Sequence, residues 1–206
     1  MATAQITLLQ RIEPEDESRA QFYALLARLF ANGPDAQLLA ALGRSEPWTG
    51  TPDNPLASTW NMLILASSAM DQAAAEQEYT EIFVGVGKAE CNLHASYWVR
   101  EATSMRPLVA VRADLKELGL ARQGGSTVYE DHLSALCETM RFLIEGDRDR
   151  APSTIDVQRA FFSRHIASWI FECCNAICEC PLANYYRRVA EFTRLFMAVE
   201  RDSLAI

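Results

Sequence analysis

The chain has 206 residues, half of them hydrophobic and about a fifth charged, and carries a net charge of −8 at neutral pH. That balance describes a globular chain long enough for one domain with a sizeable core, and it excludes a disordered one. The acidic surplus argues against nucleic-acid binding, which needs a basic surface to displace counterions, and favours basic partners through electrostatic steering.

Taken in chain order, the opening MATAQITLLQRIEPEDESRA lacks the basic segment and cleavage pattern of a secretory signal, so residues 1–15 read as a short flexible tail of a cytoplasmic protein. Phe22, Leu25, Leu26, Leu29 and Phe30 then recur at i, i+3, i+4, i+7 and i+8, predicting a helix that ends at Asn32-Gly33. Pro34-Asp35 opens a short helix through Leu42, and SEPWTGTPDNP (45–55) is a connection rich in Pro and Gly. A helix over 56–70 follows, and another runs through EQEYTEIFV. GVGKAECNLHAS (85–96) has two glycines and no helical period, which predicts a loop between helices. The spacing predicts a helix over 98–118 with a kink or break at Pro107. ARQGGSTV (121–128) is a second loop and a candidate hinge, and helices over 129–145, 155–178 and 183–203 complete the chain. No run of alternating residues is long enough for a strand and no segment reaches a membrane-spanning length. The expected fold is an all-α, single-domain multi-helix bundle over residues 1–206.

The run TVYEDHLSALCETM (127–140) holds the densest group of ionisable residues at a helix start. Thr127 and Glu130 have the spacing of a capping box, and Glu130 with Asp131 places negative charge in a first turn, where the helix dipole favours it. In such a helix His132 shares a face with Leu136, Met140 and Leu143. Asp131 would lie about 100° around from it, so the two form no self-contained acid–base dyad. No nucleophile elbow, Walker loop or dinucleotide fingerprint accompanies them. No catalytic residue and no cofactor are therefore assigned.

FECCNAICEC (171–180) carries Cys173, Cys174, Cys178 and Cys180 on a helical pattern in which Ile166, Ile170, Cys174 and Ile177 form one stripe. Small buried thiols explain that pattern, whereas structural zinc sites place paired cysteines on tight turns. Cys91-x-x-His94 could join His132 and these thiols in a metal-binding or redox-sensing protein, the alternative reading. The single His165 shows no partner in the sequence.

Three stretches in order, EYTEIFVGVG (78–87), ASYWVREATSMRPLVAVRADLKELGLAR (95–122) and YEDHLSALCETMRFLI (129–144), resemble the TorD/DmsD/NarJ family of redox-enzyme maturation chaperones. Tyr79, Phe83 and Gly85 match the family's Tyr-x-x-Leu-Phe-x-Gly motif, with Ile82 in place of its leucine. Tyr97 and Trp98 match its aromatic element, and Asp131 and His132 match the end of its Glu-Pro-x-Asp-His motif, whose proline is missing. Asn92-Leu93-His94 stands where a Pro-Pro-Trp-Glu pattern is common. The arrangement is most similar to the branch that serves formate dehydrogenase. The resemblance implies a cytoplasmic, all-helical, non-enzymatic chaperone. It would bind the signal peptide or N-terminal segment of the precursor of a molybdopterin-containing oxidoreductase, assist cofactor insertion and delay export. Tyr79, Phe83, Gly85, Tyr97, Trp98, Glu130, Asp131 and His132 would form the client site, with carboxylates offered to the arginines of a twin-arginine signal peptide. Asp131→Ala is expected to weaken client maturation without unfolding the protein. A monomer, or a dimer that exchanges halves at 121–128, fits this reading.

Overall fold

The computed structural model describes residues 13–49, 53–99, 106–121 and 128–205. Among these residues the chain forms ten α-helices and one π-helical turn, and no strand. The helices are α1 (Pro14–Ala31), α2 (Ala36–Gly43), α3 (Pro55–Ala69), α4 (Gln72–Tyr79), α5 (Ala95–Trp98), α6 (Pro107–Glu117), α7 (Leu133–Glu145), α8 (Ile155–His165), α9 (Ile170–Glu179) and α10 (Tyr185–Leu204), with the π turn at Thr80–Val84. The all-α expectation is met.

Local chemistry sets most of the boundaries. Pro14 takes the first position of α1, where its missing N–H costs nothing, and Glu15, Asp16 and Glu17 face the positive end of the dipole. The helix thus begins inside the stretch expected to be a tail, of which residues 1–12 lie outside the described residues. Asp35 caps α2 by accepting from the Leu38 amide, Asn54 caps α3 ahead of Pro55, and Asp71 caps α4.

The core forms where α1 lies along α7 and where α10 lies on α3 and α9. Tyr23, Leu26, Leu29 and Phe30 of α1 are sealed, as are Leu136, Cys137, Met140 and Leu143 of α7. Fully burying one such aliphatic side chain is worth about 1.5–3 kcal/mol, so this central pair accounts for much of the drive to fold. Phe22 bridges to the second layer, its ring 5.2 Å from Phe192 and 5.4 Å from Trp60. In the same part of α1, the Arg19 guanidinium donates to Glu200 at 2.7 and 3.0 Å and the Tyr23 hydroxyl donates to the same carboxylate at 3.0 Å. That buried cluster ties the start of α1 to the end of α10.

Three helix boundaries differ from the sequence reading. Pro107 does not kink a helix: it starts α6, because the extended conformation of Arg106 before it is the one proline imposes on its predecessor. Residues 100–105 lie outside the described residues.

The helix expected over 155–178 is two helices. In a continuous helix the His165 carbonyl would accept from the Trp169 amide. Here it accepts from the Trp169 indole N–H at 2.7 Å, while the Trp169 amide turns to Ile166. The indole displaces the ladder bond, and the chain folds back so that Ile166 and Trp169 are both buried.

The helix expected from residue 129 begins at Leu133, four residues late. Thr127 of the expected capping box, and residues 122–127 of the expected hinge, lie outside the described residues.

Candidate functional site

The loop after the π turn is folded back on itself by one glycine. Gly85 sits at φ +64°, and a Cβ there would come within 2.2 Å of the Lys88 carbonyl oxygen. Its amide donates to the Thr80 carbonyl, and the Cys91 amide donates to Ile82, so residues 82–91 close into a turn. The next residues run antiparallel to 131–133. The Leu133 amide donates to Leu93 at 2.8 Å and the Ala95 amide to Asp131 at 2.9 Å, with His94 directly opposite His132. This two-bond zipper fastens the 91–99 loop to the start of α7.

Side chains complete the fastening. Asp131 is almost wholly buried, and its carboxylate accepts from His94 Nδ1 at 3.1 Å and from the Ser96 amide at 3.1 Å. Burial alone would raise its pKa, but the hydrogen bonds from His94 and Ser96 outweigh it and hold the carboxyl down at about 2. Asp131 is therefore ionised at neutral pH and acts as the tie between loop and helix.

His132 is the N-cap of α7, in extended conformation, and its Nδ1 accepts from the Ser134 amide at 3.2 Å. The Ser134 hydroxyl lies 2.9 Å from the same nitrogen. Burial, with a smaller contribution from the charge of His94, lowers the His132 pKa to about 4. A buried serine beside an imidazole resembles a nucleophile and its base, yet this imidazole is a weak base whose lone pair is already engaged by the backbone. The pair caps a helix.

These contacts correct the reading of TVYEDHLSALCETM. Asp131 and His132 precede the helix instead of lying within it, and His132 performs the capping assigned to Thr127 and Glu130. Glu130 instead pairs with Arg112 of α6 at 3.0 Å. With Asp131 buried and bonded to the loop, the expectation that Asp131→Ala leaves the fold untouched does not follow from its surroundings.

The proposed site residues fall into two groups. Tyr97, Trp98, Glu130, Asp131 and His132 are brought together by the zipper. Tyr97 and Trp98 stack edge to face at 5.1 Å, and the Trp98 indole is anchored to the Asn92 carbonyl at 2.8 Å. Tyr97 and Tyr129 remain exposed, Tyr129 beside the His94 ring.

Tyr79 and Phe83 pack elsewhere, against Phe30 and Tyr186, with the Tyr79 hydroxyl donating to the Phe30 and Ala31 carbonyls. Together with Gly85 they shape the turn that launches the loop. The two groups communicate through the main chain, at the bond from Cys91 to Ile82.

Beside Glu130 a groove of about 900 Å³ opens between α1, α6 and α7, with Ala27, Leu115, Ala135, Thr139 and Phe142 among its lining. Ala135, Thr139 and Phe142 share one face of α7, turned away from the sealed core residues.

Three long-range ties escaped the sequence reading. His94 is the partner of Asp131, and only the loop's return across the start of α7 could reveal it. Asp114 of α6 accepts from the buried His165 at 2.7 Å and from Arg164 at 2.8 Å, pinning α6 to α8 across some fifty residues of chain. Glu78 caps α10: its carboxylate accepts from the amides of Asn184, Tyr185 and Tyr186 at 2.9, 3.1 and 2.8 Å.

The thiols do not gather as the alternative reading required. Cys173 and Cys174 are sealed within the protein, Cys178 is half-buried, and burial raises all three pKa values. Cys91 faces Cys180 instead of His94, and its thiol is pushed up to about 12 by burial and by that neighbour. Among the described residues no three histidine, cysteine or acidic side chains converge as ligands for an ion.

The comparisons with known proteins agree with this architecture. The sequence profile of the family described as nitrate reductase delta subunit matches residues 51–175, more than half of the chain and including the loop, the zipper and most of α7–α9. The chain is also 24% identical over 211 residues to the chaperone protein TorD of Shewanella loihica, across 93% of this chain and 95% of that one. The protein belongs to the nitrate reductase delta subunit family, and with it to the TorD/NarJ/DmsD group of non-enzymatic molybdoenzyme maturation chaperones.

Proposed function

We propose that this chaperone acts in the cytoplasm as one domain and holds the N-terminal segment, or the signal peptide, of a molybdoenzyme precursor while the cofactor is inserted, delaying export. The observation that carries this reading is the exposed pair Tyr97 and Tyr129. Tyr97 stands on the loop and Tyr129 just ahead of α7, and Glu130, next to Tyr129 in sequence, lines a groove large enough for a short peptide segment. Exposed tyrosines on a rigid support give contact area at little entropic cost, as peptide-binding surfaces require.

The structure shifts the burden of recognition. The carboxylates of Asp131 and Glu130 are engaged by His94, Ser96 and Arg112, so they shape the site more than they receive arginines. Attraction of a basic signal peptide then comes from the overall charge of −8, acting on encounter, and the aromatic rim supplies the contact.

Calorimetric titration with synthetic N-terminal peptides of the organism's molybdopterin oxidoreductase precursors tests the proposal, with formate dehydrogenase peptides first among them. Saturable binding to one peptide is the expected result. Absence of binding to every peptide, and to every full precursor, would sink it.

A further inference from the structure

Cys91 and Cys180, far apart in sequence, meet where the loop re-enters the protein. The thiol of Cys91 faces that of Cys180 within interaction range, and both residues are buried. The surrounding contacts fix this placement. The Cys91 amide donates to the Ile82 carbonyl at 3.0 Å. The carbonyl of Asn92, the next residue, accepts from the Trp98 indole at 2.8 Å and from the Cys173 thiol at 3.7 Å. Cys173 lies about two helical turns before Cys180, so residues 91–92 run beside one face of α9.

Both cysteines stand on irregular backbone. Cys91 belongs to the loop, and Cys180 is the C-cap of α9, in extended conformation, leading into exposed Pro181 and Leu182. Each can therefore shift to bring the two sulfurs to bonding distance. Other cysteine pairs lack that freedom. Cys174 and Cys178 are i, i+4 on α9, where Cβ atoms stand about 5–6 Å apart against the roughly 3.5–4.5 Å that a disulfide needs. Cys173 and Cys174 are neighbours on the same helix and do not face each other. Cys137 is sealed in the core and held on the regular helix α7.

We propose that Cys91 and Cys180 are a reversible redox pair, oxidised to a disulfide by a low-molecular-weight disulfide such as oxidised glutathione and reopened by the corresponding thiol. Cys180, at the surface turn, gives up its proton and attacks one sulfur of the oxidant, forming a mixed disulfide and releasing one thiol. Cys91, which burial keeps protonated and unreactive on its own, then bonds to the Cys180 sulfur, and its proton goes to the second thiol that leaves. Two electrons pass from the cysteine pair to the oxidant, whose one disulfide becomes two thiols. The new bond clamps the root of the loop to the corner between α9 and α10. Residues 92–98 spring from that root, so the clamp restrains the segment that carries Tyr97 and Trp98.

No client is needed for the test. The reduced full chain is incubated with oxidised glutathione, its remaining thiols are alkylated, and it is cut after glutamate without reduction. Cleavage after Glu90, Glu101, Glu172, Glu179 and Glu191 yields peptides 91–101 and 180–191, each with one cysteine, and leaves Cys173, Cys174 and Cys178 together on 173–179. The expected product is 91–101 joined to 180–191, separated again by dithiothreitol. The oxidised chain should melt about 5–10 °C above the reduced one, because the bond closes a long loop. Cys91→Ala should show no such rise and should retain glutathione on Cys180, whereas Cys180→Ala should leave Cys91 unmodified.

A folded wild-type chain whose 91–101 peptide stays alkylated after prolonged oxidation overturns the proposal. So does a link from Cys91 to any other cysteine, or one that forms only in urea. A 91–180 link with no rise in melting temperature overturns the clamp. The wild-type peptide map decides the matter even where a substitution unfolds the chain.

Discussion

Glu78 offers the sharpest test of how this fold is held, because one buried carboxylate serves three backbone donors in another element. The first turn of α10 gets no cap from its own Asn184, whose backbone is helical and whose side chain makes no capping bond. Glu78, 8% exposed, reaches across from α4 and accepts from the amides of residues 184, 185 and 186 at 2.8–3.1 Å. A negative charge there also meets the positive end of a twenty-residue helix. Glu78→Gln keeps the volume but offers one carbonyl oxygen and one amide donor to three N–H groups, so at least one amide faces a donor. Losing the charge and one or two charge-assisted bonds costs roughly 2–4 kcal/mol, a large fraction of the ~5–15 kcal/mol that holds a domain together. For a chain of this length that lowers the melting temperature by about 5–15 °C. Thermal unfolding followed by circular dichroism at 222 nm measures it, and hydrogen exchange localises it to amides 184–187. A Glu78→Gln variant within about 0.5 kcal/mol of wild type, with unchanged exchange at those amides, would refute the reasoning.

Four further outcomes follow from the same geometry. Gly85→Ala forces a side chain into the left-handed region and against the Lys88 carbonyl, so urea unfolding should show a loss of roughly 2–3 kcal/mol, and client peptide binding should fall with it. Acid should destabilise the protein in two limbs. As pH falls from about 6.5 to 4 the unfolded chain protonates residue 132 while the folded state refuses the proton, and from about 4 to 2 the same holds for Asp131. The first limb removes roughly 3 kcal/mol and the second roughly 2 kcal/mol, and urea midpoints against pH should lose the first limb in His132→Asn and the second in Asp131→Asn. Ellman's reagent should label Cys178 first, and Cys137, Cys173 and Cys174 should react only on unfolding, since burial both hides those thiols and suppresses their thiolates. Tyr97→Ala and Tyr129→Ala should keep the wild-type melting temperature within about 2 °C and weaken peptide binding several-fold, because both rings stand on the surface.

Where the sequence was legible, the relevant forces were local. The stripe through Phe22–Phe30, the Pro34-Asp35 turn and the 45–55 connection rich in Pro and Gly act within a few residues, and the ends of α1, α2 and α3 that they mark lie within a residue or two of expectation. Where it misled, a distant partner had overridden a local pattern. Thr127-x-x-Glu130 has capping-box spacing, but Asp131 is drawn out of any helix by the His94 ring and the Ser96 amide, so helical geometry starts only after His132. The 155–178 stripe is periodic throughout, yet the Trp169 indole takes a carbonyl that the helix needed.

The family motif was readable as letters, and its chemistry was not. Tyr79, Phe83 and Gly85 are expected at the client site, and in the structure they shape the turn that launches the loop. Asp131 and His132 are expected to face a client together, and in the structure Asp131 bonds to the loop at His94 and Ser96 while His132 caps its own helix at Ser134. Their meaning depends on His94, which occupies a place where this chain departs from the common family pattern. A substitution at His94 therefore changes how Asp131 is bonded without touching it.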